Sequence, residues 1–105
     1  MTFTVTIQTD DFDVQHEVDQ LRRGDARVGA VCLFLGTVRE RNDGSAVASM
    51  ELEHYPGMTE KSIQTMMTEA QQRFDIYAAR VIHRVGLLHP EDQIVMVAVT
   101  SAHRG

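Results

Sequence analysis

The pattern of hydrophobic and polar positions predicts seven elements in the order strand, helix, strand, strand, helix, strand, strand. Phe3, Val5 and Ile7 alternate with polar residues, which is the period of a half-buried first strand. Two segments, Ala30–Val38 and Ile94–Val99, are nearly continuous runs of apolar residues, and such runs are typical of strands that are buried on both faces. We therefore expect both segments to be central strands of one sheet.

Apolar residues at intervals of three and four predict two helices. The first begins after Asp13, which can cap it, and ends at Arg22-Arg23 before Gly24. The second begins after a cap at Thr59, with Met58 as a hydrophobic staple. Its expected core stripe comprises Ile63, Met66, Met67, Ala70 and Phe74. The remaining strands are predicted at 47–53 and 77–85, with Gly86 closing the latter, and turns at 54–57 and 89–92.

This order of elements favours an α+β fold, because strands and helices alternate without strict strand-helix-strand repetition. We expect two layers, with the helices on a mixed or largely antiparallel sheet. Two helices give little cover to two strands that are apolar on both faces, so a partner subunit or further sequence should supply the rest. Gly36 lies near the end of the first apolar run, where it marks a bulge, a close approach of a ligand or backbone, or simple tolerance of glycine.

Composition and charge narrow the class of protein. A chain of 105 residues predicts a single domain, residues 1–105, and its net charge of −5 disfavours a general nucleic-acid binder. The sequence contains neither a leader pattern nor an apolar run long enough for a membrane span, so we expect a cytoplasmic protein. Cys32 is the single cysteine, which excludes an intramolecular disulfide, and its apolar surroundings predict a buried structural thiol.

Cationic residues lie near or just after the ends of three predicted strands: Arg39 after the second, the pair His83-Arg84 near the end of the fourth, and the pair His103-Arg104 after the last. Guanidinium and imidazole groups on rigid strand ends suit an anionic ligand, although a solvated strand end explains the same residues. Because Arg39 and His103-Arg104 follow the two most apolar strands, we expect them to converge on one ligand. The five histidines lack metal-ligand spacing, so neither a metal site nor a resident cofactor is predicted.

Four ordered segments carry a further signal: Phe34-x-Gly36-x-Val38-Arg39, the segment from Leu52 to Lys61 with its Glu-His-Tyr-Pro-Gly-Met core, Ile82-His83-Arg84-Val85-Gly86, and Val99-Thr100-Ser101-Ala102-His103-Arg104. In this order they resemble the large, catalytic subunit of molybdopterin synthase, the MoaE family. Together they extend over nearly the whole chain, which makes the resemblance specific.

The resemblance implies an α/β-hammerhead type of fold and a function in molybdenum cofactor biosynthesis. It implies a homodimer within a heterotetramer, where a small ubiquitin-like sulfur carrier inserts its thiocarboxylated Gly-Gly tail into each large subunit. Two sulfurs are then transferred to cyclic pyranopterin monophosphate to make molybdopterin. By the same resemblance, Thr37, Val38 and Arg39 line the substrate phosphate site, while His103 and Arg104 bind the same substrate from the other protomer.

One departure concerns the catalytic residue. In the family, the His-Arg strand end is followed by a helix and a lysine-bearing segment, which lies beyond Gly105 in this numbering. The single lysine here, Lys61, falls on the polar face of a helix and is a poor substitute, because a solvated lysine stays protonated. We therefore expect a C-terminally incomplete domain with weak catalysis. A noncatalytic module for dimerisation or carrier docking and a general phosphate-sensing domain are the alternatives.

Overall fold

The computed structural model describes residues 2–39, 50–52 and 58–102, with only the backbone described for 50–52 and 58–60. Its elements are β1 (Thr2–Gln8), α1 (Val14–Arg22), β2 (Ala30–Thr37), β3 (Met50–Leu52), α2 (Met58–Arg73), β4 (Ile76–Arg84), β5 (Gly86–Leu88) and β6 (Gln93–Ser101). The predicted order is confirmed, with β5 as the one addition among the described residues. The predicted turn at 54–57 lies outside them.

Strand β5 was missed because Gly86 was interpreted as the end of the preceding strand. Gly86 adopts a φ of 98°, a conformation that favours glycine, and the chain turns there into a three-residue strand. Leu52 of β3 pairs with Gly86, so β3 and β5 form a small antiparallel sheet of their own. A glycine at a positive φ therefore redirects the backbone here without ending strand structure.

The main sheet has the strand order β1, β4, β6, β2. Strand β1 runs parallel to β4, whereas β4 and β2 both run antiparallel to β6. This mixed sheet with two helices confirms the α+β prediction. Within the described residues no helix has the length and apolar character that crossing a bilayer requires.

The core lies on the two central strands, β4 and β6. Ile82, Met96 and Ala98 form its centre, and Val14, Val18 and Leu21 of α1 pack against them together with Phe12. Each large aliphatic side chain buried in this way contributes about 1.5–3 kcal/mol through loss of apolar contact with water. The helical spacing predicted for α1 is thus the spacing of its sheet-facing side chains.

Helix α1 is fixed at its start and along its length by polar contacts. Asp13 caps it as predicted, since its Oδ1 accepts a hydrogen bond of 3.1 Å from the backbone N–H of His16. Arg80 of β4 donates from Nε to Glu17 Oε1 at 2.9 Å and from Nη1 to Thr6 Oγ1 at 2.7 Å. This partly buried network joins α1 to both β4 and β1.

Helix α2 differs from its prediction in where it begins and in which residues are buried. It begins at Met58, so Thr59 lies in its first turn and is not its cap, and the staple prediction fails with it. Of the predicted stripe, Met67 is buried, whereas Met66 and Phe74 are exposed. The main contacts of α2 are with β1.

Strand β2 is an edge strand of the described sheet, and the prediction that it is central is wrong. Leu33, Phe34 and Leu35 are 44%, 61% and 40% exposed, and Cys32 is exposed as well, so the predicted buried thiol is also wrong. The reason is that α1 packs chiefly on β4 and β6, and α2 chiefly on β1. The two helices do prove to be insufficient cover for the apolar strands.

Candidate functional site

The segment Thr37-Val38-Arg39 is held rigidly by the turn before β6. Val38 is 6% exposed; its N–H donates to the Asp92 carbonyl and its own carbonyl accepts from the Glu91 N–H, both at 2.9 Å. Asp92 also accepts a hydrogen bond from the His89 N–H through Oδ2 at 2.8 Å. Because both backbone groups of Val38 are bonded, the neighbouring Arg39 leaves the sheet from a fixed position.

Gly36 coincides with an irregularity in the pairing of β2 with β6. Gly36 pairs with Val95, but Thr37 pairs with Gln93, so Ile94 is an extra residue on β6. A Cβ atom on Gly36 would lie 2.9 Å from Cγ1 of Val95, closer than packed carbon atoms approach. Of the explanations left open for this glycine, the bulge applies, and the near contact is with a side chain of the paired strand.

The two arginines at this end of the sheet have different roles. Arg84 is bonded to main-chain carbonyls: its guanidinium donates to Thr9 O at 3.2 Å and to Gln93 O at 3.0 Å. Arg39 is exposed and forms no hydrogen bond or ion pair with the residues described. Arg84 therefore ties a loop to the sheet, whereas Arg39 gives none of its donors to the described residues and can offer them to an anion.

Asp11 completes the attachment of that loop. Its Oδ1 accepts 2.8 Å hydrogen bonds from Gln93 Nε2 and from the Phe12 N–H, and Arg84 Nη1 lies 3.7 Å away. These donors favour the ionised carboxylate, so the pKa of Asp11 is lowered, first by Gln93, then by the Phe12 N–H, with Arg84 contributing least. Asp11 and Arg84 thus act in holding the structure around Arg39.

His83 is the one polar side chain of the described residues with a buried atom that lacks a hydrogen-bond partner, namely Nδ1. It pairs across the sheet with Ile7 on one side and Val95 on the other, and Val95 in turn faces Gly36. An unsatisfied buried nitrogen costs about 1–3 kcal/mol. The two residues of the predicted His83-Arg84 pair therefore differ. Nδ1 of His83 has no hydrogen-bond partner among the described residues, whereas the guanidinium of Arg84 is bonded to main-chain carbonyls.

The other end of β6 is the end from which His103 and Arg104 follow, although these two residues lie outside the described part of the chain. Ser101 pairs with Ala30, and the Gly29 N–H donates to the Ser101 carbonyl at 2.9 Å. A Cβ atom on Gly29 would collide with the Ala102 carbonyl oxygen. Glycine is therefore required at position 29 so that the backbone preceding His103 can lie against the start of β2.

His103 and Arg104 lie outside the described residues, so their expected convergence with Arg39 stays a prediction. Thr37 pairs with Gln93 and Ala30 with Ser101, so the two sets follow opposite ends of an antiparallel pair. Seven steps along a strand span about 24 Å, whereas the two steps from Ser101 to His103 reach at most about 7 Å. The sequence correctly predicted that these two strands are neighbours, but periodicity does not show whether neighbouring strands run parallel or antiparallel.

A cleft of about 890 Å³ opens beside the Ser101 end of the sheet, between β2, β6 and the end of α2. Its lining includes Cys32, Ala70, Arg73, Phe74, Val99 and Ser101. The walls are mostly apolar, while Arg73 is exposed and has no ion pair with the described residues. The sequence pattern did not identify Arg73 as a candidate site residue, although its position as the basic residue in the last turn of α2 could have indicated it.

Two further predictions concern metal and lysine chemistry. Across residues 2–39, 50–52 and 58–102, no three His, Cys, Asp or Glu residues are grouped so as to hold a metal ion. Lys61 is exposed on α2, on the polar helix face where the pattern predicted it. An exposed ammonium of this kind is not desolvated, which is the usual means of activating lysine as a base.

Comparisons with known proteins identify the family. The MoaE protein family model matches residues 7–105. The molybdopterin synthase catalytic subunit of Ralstonia nicotianae is 58% identical over 102 residues, which cover 97% of this chain but 58% of that protein. The chain thus spans less than two thirds of the length of this relative.

Solved structures agree with this assignment. The molybdopterin cofactor biosynthesis protein E of Burkholderia multivorans superimposes with a TM-score of 0.86 at 49% identity, covering all of this chain and 68% of that one. The molybdopterin synthase of Staphylococcus aureus gives 0.83 at 28% identity over 94% of this chain and 71% of that one. The four sequence segments, the mixed sheet and the family match all agree: this chain belongs to the MoaE family.

Proposed function

We propose that this chain acts in molybdenum cofactor biosynthesis as the sulfurtransferase subunit of a molybdopterin synthase, converting cyclic pyranopterin monophosphate to molybdopterin. The observation that carries the proposal is Arg39, a guanidinium without a partner among the described residues, which is held at the end of β2 by the turn at 89–92 in a chain of the MoaE family. A planar fork of donors with no internal partner suits a phosphate group.

In this proposal each group has a defined role. Thr37 and Val38 fix the strand end, and Arg39 binds the phosphate of the substrate. His103 and Arg104 bind the same substrate from a second copy of the chain, which resolves the separation of the two strand ends within one copy. Residues 1–105 belong to one domain in this account, and the residue that performs acid-base or covalent chemistry is a lysine outside them.

The sulfur donor in this proposal is a small ubiquitin-like carrier whose Gly-Gly tail ends in a thiocarboxylate. The relatives support a role in this reaction. The Staphylococcus aureus protein is a molybdopterin synthase, and the Ralstonia nicotianae protein is named as the catalytic subunit of such an enzyme. Transfer requires a water-poor site, because water competes with the substrate for the activated carboxyl carbon. The mostly apolar walls of the cleft beside Ser101 offer such surroundings.

A second candidate function is a noncatalytic module that dimerises or docks the carrier. It is favoured by one observation, which is that the sole lysine of the sequence, Lys61, is exposed on α2 and lacks the features of an activated amine. The two candidates share the binding residues and differ in turnover. An assay of both binding and turnover is therefore needed.

The deciding experiment incubates the 105-residue chain with thiocarboxylated carrier and cyclic pyranopterin monophosphate, and measures dithiolene formation alongside calorimetric binding. The sulfurtransferase proposal predicts binding of both components, weakened by Arg39→Ala, and turnover once the lysine-bearing segment is supplied. Binding that never leads to turnover, even with that segment, would favour the docking module. Affinity for simple phosphometabolites without affinity for the carrier would overturn both.

A further inference from the structure

The turn that holds Val38 contains a strained residue. Glu91 has a φ of 78°, and among the residues that the structure describes it is the one residue other than glycine with a positive φ. A Cβ atom disfavours this left-handed conformation, and at Gly24 and Gly86 the chain uses glycine to adopt it. Such strain persists only where the surrounding contacts fix the backbone, and it is common at functional sites.

Two successive residues of the strained turn bond to the residue that follows β2. The Glu91 N–H donates to the Val38 carbonyl, and the Val38 N–H donates to the Asp92 carbonyl, both at 2.9 Å. Because these bonds use both backbone groups of Val38, they fix the peptide that leads into Arg39. The strained conformation therefore occurs exactly where the chain is attached just before Arg39.

Asp92 holds the turn closed. Its N–H donates to the His89 carbonyl at 2.9 Å, and its carboxylate Oδ2 accepts a 2.8 Å bond from the His89 N–H. An ionised acceptor makes the second bond stronger than a bond between neutral groups. Glu91 lies between these two bonded residues, so it cannot relax to a negative φ without disturbing them. The carboxylate of Asp92 is thus the side chain that maintains the strain.

The residue after the turn is anchored to the rest of the fold. Gln93 donates from Nε2 to Asp11 Oδ1 and to the Phe12 carbonyl, both at 2.8 Å. The Gln93 carbonyl in turn accepts a 3.0 Å bond from Arg84 Nη1. The turn is therefore joined both to the loop that precedes α1 and to β4, and it forms a rigid support for Val38.

The side chain of Arg39, by contrast, is not held. It is exposed and makes no hydrogen bond or ion pair with the described residues. Within that part of the chain, the backbone alone determines where its guanidinium can reach. A donor that starts from a fixed backbone loses less conformational freedom on binding a ligand, and it meets the ligand in a narrower range of directions.

We propose that Glu91 and Asp92 are positioning residues for the phosphate of the substrate. The strained turn fixes the backbone at Val38, and thereby sets the direction from which the Arg39 guanidinium meets the phosphate. This role rests on the proposed function, which gives Arg39 its ligand. The backbone conformation is what matters at Glu91, whose side chain is exposed, whereas at Asp92 the side-chain acceptor matters.

Replacing Asp92 tests the lock on the turn. In Asp92→Ala, we expect cyclic pyranopterin monophosphate to bind about 10-fold more weakly and the Val38 N–H to exchange with deuterium about 10-fold faster. Calorimetry and NMR measure the two effects at a temperature where circular dichroism shows every variant folded. Asp92→Asn keeps an oxygen acceptor and should restore both values. A merely structural role would lower the melting temperature and leave the affinity of the folded chain unchanged.

The matched control is Asp10→Ala, which removes the same charge at the same end of the sheet. The side chain of Asp10 is exposed and forms no hydrogen bond with the described residues. We expect neither substrate affinity nor Val38 exchange to change in this variant. An equal effect of Asp10→Ala and Asp92→Ala would assign the change to charge and overturn the positioning role.

Replacing Glu91 tests the strain itself. Glu91→Gly keeps the N–H and favours the positive φ, so it should retain native affinity and raise the melting temperature by about 2–5 °C. Glu91→Pro removes the N–H and sets φ near −65°, so it should weaken substrate binding at least as much as Asp92→Ala. Native affinity in a folded Glu91→Pro chain would overturn the proposal.

A double-mutant cycle asks whether the turn acts through Arg39. In an Arg39→Ala background, Asp92→Ala should cause no further loss of substrate affinity. A further loss of about 10-fold would show that the turn acts by another route and would overturn the proposal. So would native affinity in Asp92→Ala beside weakened binding in Arg39→Ala, which would leave the proposed function intact. Native affinity in Arg39→Ala would refute the proposed function, and the role of the turn in binding with it.

Discussion

Strands β2 and β6 are neighbours of similar composition, yet one is exposed and the other forms the core. Leu35 and Met96 are register partners on one face of the sheet, and Leu35 is 40% exposed while Met96 is fully buried. The difference comes from position: β6 has a strand on each side and α1 above it, whereas β2 has one strand beside it. A run of apolar residues therefore indicates that other residues will pack over the strand. It does not show whether those residues belong to the same chain or to another.

The largest expected effect tests this comparison directly. Met96→Ala should lower the free energy of unfolding by about 2–5 kcal/mol, because it leaves a cavity in the core. Leu35→Ala should cost less than about 1 kcal/mol, since that side chain is already 40% exposed. Urea denaturation of both variants measures the difference. Equal losses would mean that β2 is covered within the monomer.

A second prediction concerns the α1 side of the sheet, which the chain completes by itself. Glu17→Ala removes the partner of Arg80, whose side chain is 19% exposed, and should destabilise the protein by about 2 kcal/mol. The matched control is Arg22→Ala, which breaks an exposed ion pair with Asp19 and should cause no measurable loss. Thermal denaturation at constant salt compares the two. A harmless Glu17→Ala would show that packing alone holds α1.

A third prediction compares Arg84 and Arg39, which lie at the same end of the sheet. Arg84→Ala should lower stability by about 1–2 kcal/mol, because it leaves main-chain carbonyls without donors. Arg39→Ala should leave stability unchanged and weaken substrate binding about 10- to 100-fold, the effect of losing a charged hydrogen bond. Calorimetric binding and urea denaturation of both variants check this. If Arg39→Ala destabilises the fold, then Arg39 has a structural partner and its assignment to the substrate fails.

The smallest expected effect is the pH dependence of the loop around Asp11. Its pKa is lowered in the folded protein, so its stabilising contribution is present at neutral pH and is lost as the pH falls below about 4, through the folded pKa. Asp11 is 65% exposed, so the contribution should be at most about 0.5 kcal/mol. Asp11→Asn should flatten the acid side of a stability profile without changing it at alkaline pH. A steeper acid loss in Asp11→Asn would reverse the sign of this argument.

Local signals predicted local structure well. The carboxylate of Asp13 was identified as the cap of α1 from its place before a helical pattern, and the pattern itself gave Val14, Val18 and Leu21 as core residues. Gly86 shows the limit of such reasoning, because a glycine that ends one strand and a glycine that redirects the chain into another look alike in sequence. Short strands such as β5 depend on a distant partner, here β3, for their pairing.

The candidate site was predicted in its residues and not in its geometry. Arg39 was recognised from its place after an apolar strand, but its difference from Arg84 depends on carbonyl groups that only the folded loop brings near. The sequence pattern did not single out Arg73, which lines the cleft beside Ser101. His103 and Arg104 remain predictions from sequence, since the description ends at Ala102.

The sequence by itself determined the order of the elements, the α+β class and the family resemblance, because these depend on periodicity and on short motifs that neighbouring residues define. Only the tertiary structure decided that β2 is an edge and that it runs antiparallel to β6. Strand direction and neighbourhood are set by long-range pairing, which leaves no mark on the pattern within a strand. That is why an apolar strand expected in the centre of the sheet became its open edge, and why two strand ends expected to meet lie at opposite ends of one chain.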